Sequence, residues 1–361
     1  MEATLTRPSS KILPSLGIIL VTGGFLLLGW FAFLWFDPGA APYQYHLVEE
    51  GGVEKFPKLE FGAWPDLKIS KQEIHVEGVE QSIATGYIAR RENMKPVMVG
   101  WENHIGEPMI FLDTKLSELS ILAPAISKHM PKDAAILAWW DTSRQIQLLT
   151  GLDPIFTSHL SEPLIMPMVW KPRTEAILKY EREFWAAPPT EEEQRKFQRF
   201  ADALASEPKE GVEILRDLVG GREGYVVVHI ADIYKLGLMR PDRIGIAYKD
   251  FPVKGSTDVH GVNIMIKRWE GDNKYTGHTV HGFSESIFRA YFLTDEKSKN
   301  TLLAQMLPMT SSLILEFEPL QMVYKEGGYL VYKIPTAQPS NTDSVIGGSE
   351  KTVIENLPES R

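Results

Sequence analysis

An uncharged apolar run near the start of the chain constrains the fold more than any other feature. Residues 12–36 contain no charged side chain and are rich in Leu, Ile, Phe, Gly and Trp. About 20 helical residues cross the bilayer's hydrocarbon core of about 30 Å, so this run is long enough to span it with some tilt. Trp30 and Trp35 lie near its far end, where indole rings favour the membrane interface. We therefore predict one transmembrane anchor over residues 12–36.

The charges that flank this run predict its orientation. Arg7 and Lys11 precede it, whereas Asp37 and Glu49 follow it. Because basic residues are enriched on the cytoplasmic side of a spanning helix, residues 1–11 are predicted to be cytoplasmic. The remainder of the chain is then extracytoplasmic.

Two interpretations remain for the junction that follows the run. A cleaved signal peptide, with the small residues 39–41 as its cleavage site, is the alternative to an anchor. The apolar run is longer than the usual core of a signal peptide, which favours an uncleaved anchor. Residues 37–65 hold four prolines with glycines between them, which predicts a linker.

Composition excludes several functional classes. The 38 basic and 47 acidic residues leave a formal charge of −9, whereas nucleic-acid binders carry a basic excess or stripe, so we predict no nucleic-acid partner. The chain has no cysteine, which excludes disulfides, cysteine-ligated iron–sulfur clusters and covalently attached c-type haem. Hydrophobic residues make up 43% of the chain, enough for a sizeable core. We predict no bound cofactor.

Residues 66–335 are predicted to form an α/β domain. The runs 134–140 and 225–230 are continuously apolar, as strands of a buried parallel sheet require. Helical patterns precede both runs, at 116–130 and across 173–219, where Thr190 and Glu193 have the spacing of a capping box. Helix followed by buried strand, twice, favours a partly parallel sheet. The fold class is thus a single N-terminal transmembrane helix and an extracytoplasmic α/β domain.

The last part of this domain is predicted to close with antiparallel strands. The alternation over 261–269 predicts a strand, and a helical stretch is predicted around 283–306. Three further short strands are predicted at the end of the domain: 312–317, 320–324 and 329–334. The tail 336–361 is polar, with few large apolar residues, and is predicted to be disordered.

Trp139, Trp140 and Asp141 are the most unusual group in the chain. They follow a buried strand, and Asp232 follows the other, so all four are predicted to face the crevice where open α/β sheets bind ligands. An indole shelf beside a carboxylate would accept a hydrogen bond from a ligand's hydroxyl or amide. The alternative is structural, with Trp140 in the core and Asp141 capping the next helix.

Histidines provide the only other candidate chemistry, a weak metal site. His278 and His281, with His260 upstream, would share one face of a helix but lie on opposite faces of a strand. No nucleophile elbow, zinc-protease, dinucleotide or Walker motif is present. We therefore predict no catalytic residues and a protein that is not an enzyme.

The block 133–160 resembles part of a known enzyme family. Its Trp139-Trp140-Asp141 resembles the W-W-D block of oligosaccharyltransferase catalytic subunits, whose residues hold the hydroxyl of the acceptor peptide. The resemblance implies that Trp139, Trp140 and Asp141 line such a pocket. That family also carries many transmembrane helices and a D-x-x-K motif, whereas this chain has one predicted span and Asp242–Gly245 lacks the lysine.

The whole layout resembles a second family, the hydroxylamine-oxidation protein HaoB, through residues 137–150, the single anchor and the length. This resemblance implies a periplasmic accessory protein, anchored in the cytoplasmic membrane by one span, whose partner is a multihaem hydroxylamine oxidoreductase. The leading hypothesis is that the chain tethers or assists that enzyme. The alternative is a non-catalytic peptide- or protein-binding module derived from an oligosaccharyltransferase-like domain.

Overall fold

The first helix has the length and composition of a membrane-spanning segment. The computed structural model describes residues 12–36, 39–253, 259–282, 284, 286–309 and 319–335. Helix α1 is continuous over Ile12–Phe36, and its stretch Ser15–Phe33 is apolar enough to cross a bilayer, with no part buried against protein. A helix of this length and composition at this position agrees with the prediction.

The helices and strands alternate through the rest of the described chain. The helices after α1 are α2 Glu118–His129, α3 Trp140–Thr150, α4 Thr174–Trp185, α5 Glu191–Ala205, α6 Pro208–Val219, α7 Asp232–Met239, α8 Val259–Asp272 and α9 Leu302–Met306. The strands are β1 Tyr43–Gly52, β2 Lys68–Val76, β3 Ala84–Arg90, β4 Val97–Asn103, β5 Ala135–Ala138, β6 Gly224–His229, β7 Ile246–Pro252, β8 Gly277–Gly282, β9 Ile287–Leu293, β10 Gln321–Glu326 and β11 Tyr329–Ile334. Short 3₁₀ helices cover Val53–Lys55, Pro57–Leu59, Met168–Arg173 and Lys297–Asn300.

The first sheet corrects the predicted linker. Strands β1 to β4 form an antiparallel sheet in chain order, and β1 pairs with β2 from Tyr43↔Val76 to Gly52↔Lys68. Most of residues 37–65 therefore belong to the folded domain, because the backbone of β1 pairs with β2 along its length, with one register shift between Leu47 and Glu49. The six residues 37–42 remain between α1 and β1.

The central sheet has the order β10-β11-β6-β5 and contains the predicted parallel pair. Strand β5 runs parallel to β6, whereas β11 pairs antiparallel with both β6 and β10. Alternate residues of β5 face different cores: Leu137 packs in the core with α5 and α6, and Ile136 packs in the core with α2 and α3. Both faces are covered, which explains the unbroken apolar runs of β5 and β6.

The predicted strand over 261–269 is wrong, because this segment lies within α8. The helix buries Val262 and Ile266, four residues apart, and leaves Ile264 more than half exposed. A strand would have placed all three side chains on one face. The pattern therefore had the helical period, and the short alternation was misleading.

The predicted helical stretch 283–306 is also wrong over most of its length. Strand β9 occupies Ile287–Leu293 and is the central strand of the sheet β7-β9-β8. Its two faces pack into different cores, since Tyr291 and Leu293 lie in one cluster and Ala290 and Phe292 lie in another. Burial on both faces removes the alternation that marks an exposed strand. Only the short α9 matches the prediction.

The end of the domain agrees with the prediction where it is described. Strands β10 and β11 form a hairpin whose turn contains Gly327 at φ 56°, a backbone conformation that glycine adopts without strain. The predicted strand 312–317 and the predicted disordered tail 336–361 lie outside the described residues.

Candidate functional site

Both tryptophans of the W-W-D group lie at the junction between β5 and α3. Trp139 precedes the first residue of α3, and Trp140 is that residue. Both indole N–H groups donate to the backbone carbonyl of Glu162, with N···O distances of 3.0 Å for Trp139 and 2.6 Å for Trp140. Trp139 is 1% exposed and Trp140 5%. Their polar atoms therefore already have partners within the protein.

The ring of Trp139 is part of the hydrophobic core. It meets the ring of Phe197 edge-on, with centroids 5.4 Å apart, and also contacts Phe200 at 6.4 Å. Trp140 lies against His159, with centroids 4.4 Å apart. This placement corresponds to the structural alternative for the two indoles. A ligand-binding role for them stays a prediction.

Asp141 and Asp232 are brought together by a residue that the sequence analysis did not select, Lys235. The ammonium of Lys235 lies 2.7 Å from Asp141 Oδ2 and 3.1 Å from Asp232 Oδ1. Asp232 Oδ2 accepts the backbone N–H of His229 at 2.8 Å, and Asp141 Oδ1 accepts that of Thr142 at 2.7 Å. The parallel pairing of β5 with β6 places the two strand ends side by side, as expected.

The electrostatics of this triad follow from its burial. Asp232 is 1% exposed, and burial raises the pKa of its carboxyl. Burial alone would lower the pKa of Lys235, but Asp141 and Asp232 more than reverse this and leave the pKa above its ordinary value. Lys235 is therefore a permanent cation between two carboxylates.

The triad contains a D-x-x-K motif. Asp242 lacks a lysine three residues later, but Asp232-Ile233-Tyr234-Lys235 has that spacing. The motif opens α7, where the spacing i, i+3 places the carboxylate and the ammonium on one face. This signal was present in the sequence and was missed.

A small cavity adjoins the triad. It has a volume of about 60 Å³, which is room for a few water molecules. Its polar lining includes Asp141, Thr142, Lys235, Glu118 and His229. Such a space suits a small polar group rather than a large ligand.

The structure separates the histidine pair that was considered for metal binding. His278 and His281 lie on β8, where the odd spacing directs them to opposite faces. His278 Nδ1 lies 3.0 Å from Glu270, whereas His281 Nε2 lies 3.1 Å from Glu118. The two therefore do not form a shared site.

His281 instead belongs to a buried cluster with Glu118 and His229. The Glu118 carboxylate lies 3.3 Å from His229 Nε2 and 3.1 Å from His281 Nε2, and it accepts a hydrogen bond from the backbone N–H of Gly328 at 3.1 Å. Burial would raise the pKa of Glu118, but the two histidines hold it well below its ordinary value. Burial also lowers the pKa of His281. Nothing in the sequence marked Glu118.

A second buried cluster surrounds Glu181, which is 1% exposed. Its carboxylate accepts hydrogen bonds from Tyr43 at 2.5 Å, Tyr45 at 3.0 Å and the Trp185 indole at 2.7 Å. His159 Nε2 lies 3.3 Å away, and burial lowers the pKa of His159 to about 4. This cluster ties β1 to α4 and has a structural role.

Comparison with known proteins decides the family. The profile of the HaoA-associated protein HaoB matches residues 9–334. The chain belongs to the HaoB family. The match extends over α1 and the described domain, and it confirms the resemblance drawn from residues 137–150. Membership of the HaoB family supports a role associated with hydroxylamine oxidation.

Other comparisons add little to this assignment. Among curated proteins, none matches significantly. One similar solved structure is the C-terminal globular domain of an oligosaccharyltransferase from Archaeoglobus fulgidus, at 9% identity and a TM-score of 0.29, covering 62% of this chain and 99% of that one. A likeness this weak supports no inference about function.

Proposed function

We propose that this HaoB-family chain is a membrane-anchored accessory protein that associates with a multihaem hydroxylamine oxidoreductase and tethers it to the outer face of the cytoplasmic membrane. The observation that carries the proposal is the family match over residues 9–334, because it includes the apolar α1 as well as the folded domain. The family's description as HaoA-associated supports the identity of the partner.

A short connection between anchor and domain supports a tethering role. Residues 37–42 separate α1 from β1, and six residues span at most about 20 Å when fully extended. The domain would therefore stay close to the membrane surface. Holding a soluble enzyme there raises its effective concentration near membrane-bound electron acceptors without any new chemistry.

The chain's composition supports an accessory rather than an electron-carrying role. Without cysteine it cannot hold a c-type haem covalently. The titratable groups of the W-W-D region are paired with one another, as the contacts of Asp141, Asp232 and Lys235 show. The proposal therefore assigns the redox chemistry to the partner.

An exposed apolar surface offers a place for the partner to dock. Met168 and Val169 are 76% and 79% exposed, more than the other exposed large apolar side chains of the described domain. Met168 lines a cleft of about 780 Å³ with Met109, Met166 and Leu238, and Val169 follows Met168 in the chain. Exposed apolar patches of this kind are typical of protein–protein contacts.

Co-purification from native membranes tests the proposal. The full-length chain is captured in detergent, and bound haem protein is measured by absorbance and mass spectrometry. We expect a multihaem oxidoreductase to be recovered, and we expect Met168→Glu and Val169→Glu to reduce its recovery. Met265→Glu changes another partly exposed apolar side chain, 43% exposed, and should leave recovery unchanged. Recovery of no haem protein with a folded bait would refute the association.

Membrane fractionation separates tethering from association. In cells that lack the chain, the share of the oxidoreductase that sediments with membranes should fall. If the enzyme remains with the membranes to the same extent, it does not depend on this chain as a tether, even where the two proteins bind.

A second candidate function is a binding module for hydroxyl-bearing peptides. The contact between Asp141 and Lys235 beside the small cavity favours it, whereas the engagement of both indole N–H groups by Glu162 does not. Asp141→Asn should abolish the binding of such a peptide without unfolding the domain. Unchanged peptide binding would remove this function.

A further inference from the structure

Three buried side chains from distant parts of the chain converge on one point. Glu118 comes from the first turn of α2, His229 from the end of β6 and His281 from β8. One ligand atom from each lies within 4.8 Å of the others. The three residues are at most 8% exposed. No part of the proposed function uses this cluster.

The distances within the cluster match those between ligands of one metal ion. His229 Nε2 lies 3.3 Å from Glu118 Oε2, and His281 Nε2 lies 3.1 Å from Glu118 Oε1. Hydrogen bonds between charged groups are usually about 2.7–2.9 Å. Tetrahedral coordination with bonds of about 2.0–2.1 Å separates ligand atoms by about 3.3–3.4 Å. Both imidazole nitrogens lie 3.3 Å from Glu118 Oε2, which equals this ligand separation, whereas the 3.1 Å contact with Oε1 lies between the two ranges.

The turn between β10 and β11 forms a wall without side chains beside these atoms. A Cβ atom added at Gly328 would lie 2.2 Å from His229 Nε2, and one at Gly327 would lie 2.6 Å from Glu118 Oε1. The N–H of Gly328 also donates to Glu118 Oε1, which orients the carboxylate as outer-shell groups do at metal sites.

The cluster lies between the small inner cavity and the surface. Glu118 and His229 line that cavity. Glu118 and His281 line a surface cleft of about 830 Å³, together with Lys115 and Ser284. An ion can therefore enter from the cleft, and a coordination position can face it.

We propose that Glu118, His229 and His281 bind one divalent transition-metal ion, with a further coordination position open to the cleft. Two imidazoles and one carboxylate are a donor set that holds Zn²⁺ or Fe²⁺ in proteins. Three protein ligands with an open position are typical of sites that bind a water molecule or a small ligand on the metal.

Metal binding requires His229 to change its tautomer. The backbone N–H of Ala231 donates to His229 Nδ1 at 3.1 Å, so in the metal-free protein the proton is on Nε2, the atom that faces Glu118. Coordination through Nε2 uses the lone pair of a neutral imidazole, so this proton moves to Nδ1 and the hydrogen bond from the Ala231 N–H is lost. The exchange releases no proton to solvent, and the bonds to the metal must outweigh the lost hydrogen bond.

The test is a metal titration of the full-length protein in detergent after treatment with a chelator. Zn²⁺ is followed by calorimetry and Co²⁺ by its visible absorption. We expect one ion per chain. Glu118→Gln, which keeps the shape of the side chain, and His281→Asn should each weaken binding at least about 100-fold, since loss of an outer-shell group alone costs 10–100-fold.

The matched control is His278→Asn. His278 lies on the same strand but contacts Glu270 on the opposite face, so its replacement should leave affinity unchanged. Circular dichroism confirms that each variant is folded, and Zn²⁺ should raise the thermal unfolding temperature of the wild type but not of Glu118→Gln. Fewer than about 0.1 ions per chain, or equal losses in the His278 and His281 variants, would overturn the proposal. Neither result bears on the association with the oxidoreductase.

Discussion

Replacement of Lys235 by methionine removes the cation that lies between two carboxylates. Lys235 is 12% exposed, Asp232 1% and Asp141 18%, measured on their side chains. Removing one partner of a buried ion pair costs about 3–5 kcal/mol, because it leaves an uncompensated charge. Asp141 retains some contact with water, so we expect the lower end, a loss of about 3 kcal/mol in the free energy of unfolding at pH 7.

The assay is urea denaturation of the full-length protein in detergent, followed by tryptophan fluorescence. Lys249→Met is a matched control, because the Lys249 ammonium lies 3.1 Å from the centroid of the Trp269 ring, a contact worth about 0.5–1 kcal/mol. The loss in Lys235→Met should exceed the loss in the control.

The pH dependence of the variant tests the electrostatic reasoning separately. Burial already raises the pKa of Asp232, and loss of Lys235 would raise this pKa further. The folded variant then takes up a proton more readily than the unfolded chain as pH falls, so its deficit should shrink between pH 7 and pH 5. A loss below about 1 kcal/mol at pH 7, or a deficit that does not change with pH, would refute the reasoning.

Three further predictions concern stability. The pKa of His159 is about 4 in the folded protein and about 6.5 in the unfolded chain, so the unfolded chain binds more protons between these pH values. The free energy of unfolding should therefore fall by about 3 kcal/mol as pH falls from 7 to 4. Urea denaturation of the wild type and of His159→Gln across this range measures the difference. Thr190→Ala removes the hydroxyl that accepts a backbone N–H at the start of α5 and should lower the free energy of unfolding by about 1 kcal/mol in the same assay. An unchanged free energy of unfolding would contradict the capping role of Thr190. Gly328→Ala would place a Cβ atom 2.2 Å from His229 and should destabilise by about 1–3 kcal/mol, whereas Gly106→Ala meets nothing within 4 Å and should have little effect on the thermal midpoint.

Much of the framework could be predicted from local patterns. The anchor follows from an uncharged run of 25 residues, and α5 from the capping residue Thr190, whose hydroxyl accepts the N–H of Glu193 at 3.1 Å. The parallel pair β5 and β6 follows from two continuous apolar runs, since both faces of such strands are covered.

The errors occurred where distant pairing outweighs local pattern. Strand β9 has no alternation, because β7 and β8 flank it and both faces are buried. The predicted linker failed in a similar way, since β1 has several exposed residues and is fixed by pairing with β2 rather than by an apolar pattern.

The candidate sites also combine local features, which the sequence shows, with distant contacts, which it does not. The spacing of Asp232 and Lys235 is local and was visible in the sequence, although their contact with Asp141 required the pairing of two strands. The hydrogen bonds that the two tryptophans donate to the Glu162 carbonyl could not be foreseen, because Glu162 is more than 20 residues away from both.

The sequence by itself determined the long apolar helix α1, the α/β class and the W-W-D group at a strand end, because each depends on side chains within a few turns of one another. Only the tertiary structure decided that Glu118, His229 and His281 meet at one point. Their separations of 111 and 163 residues from Glu118 carry no local periodicity. The order of strands and the packing of α2 against them determine that meeting, and both arise from burial of apolar surface over the whole domain.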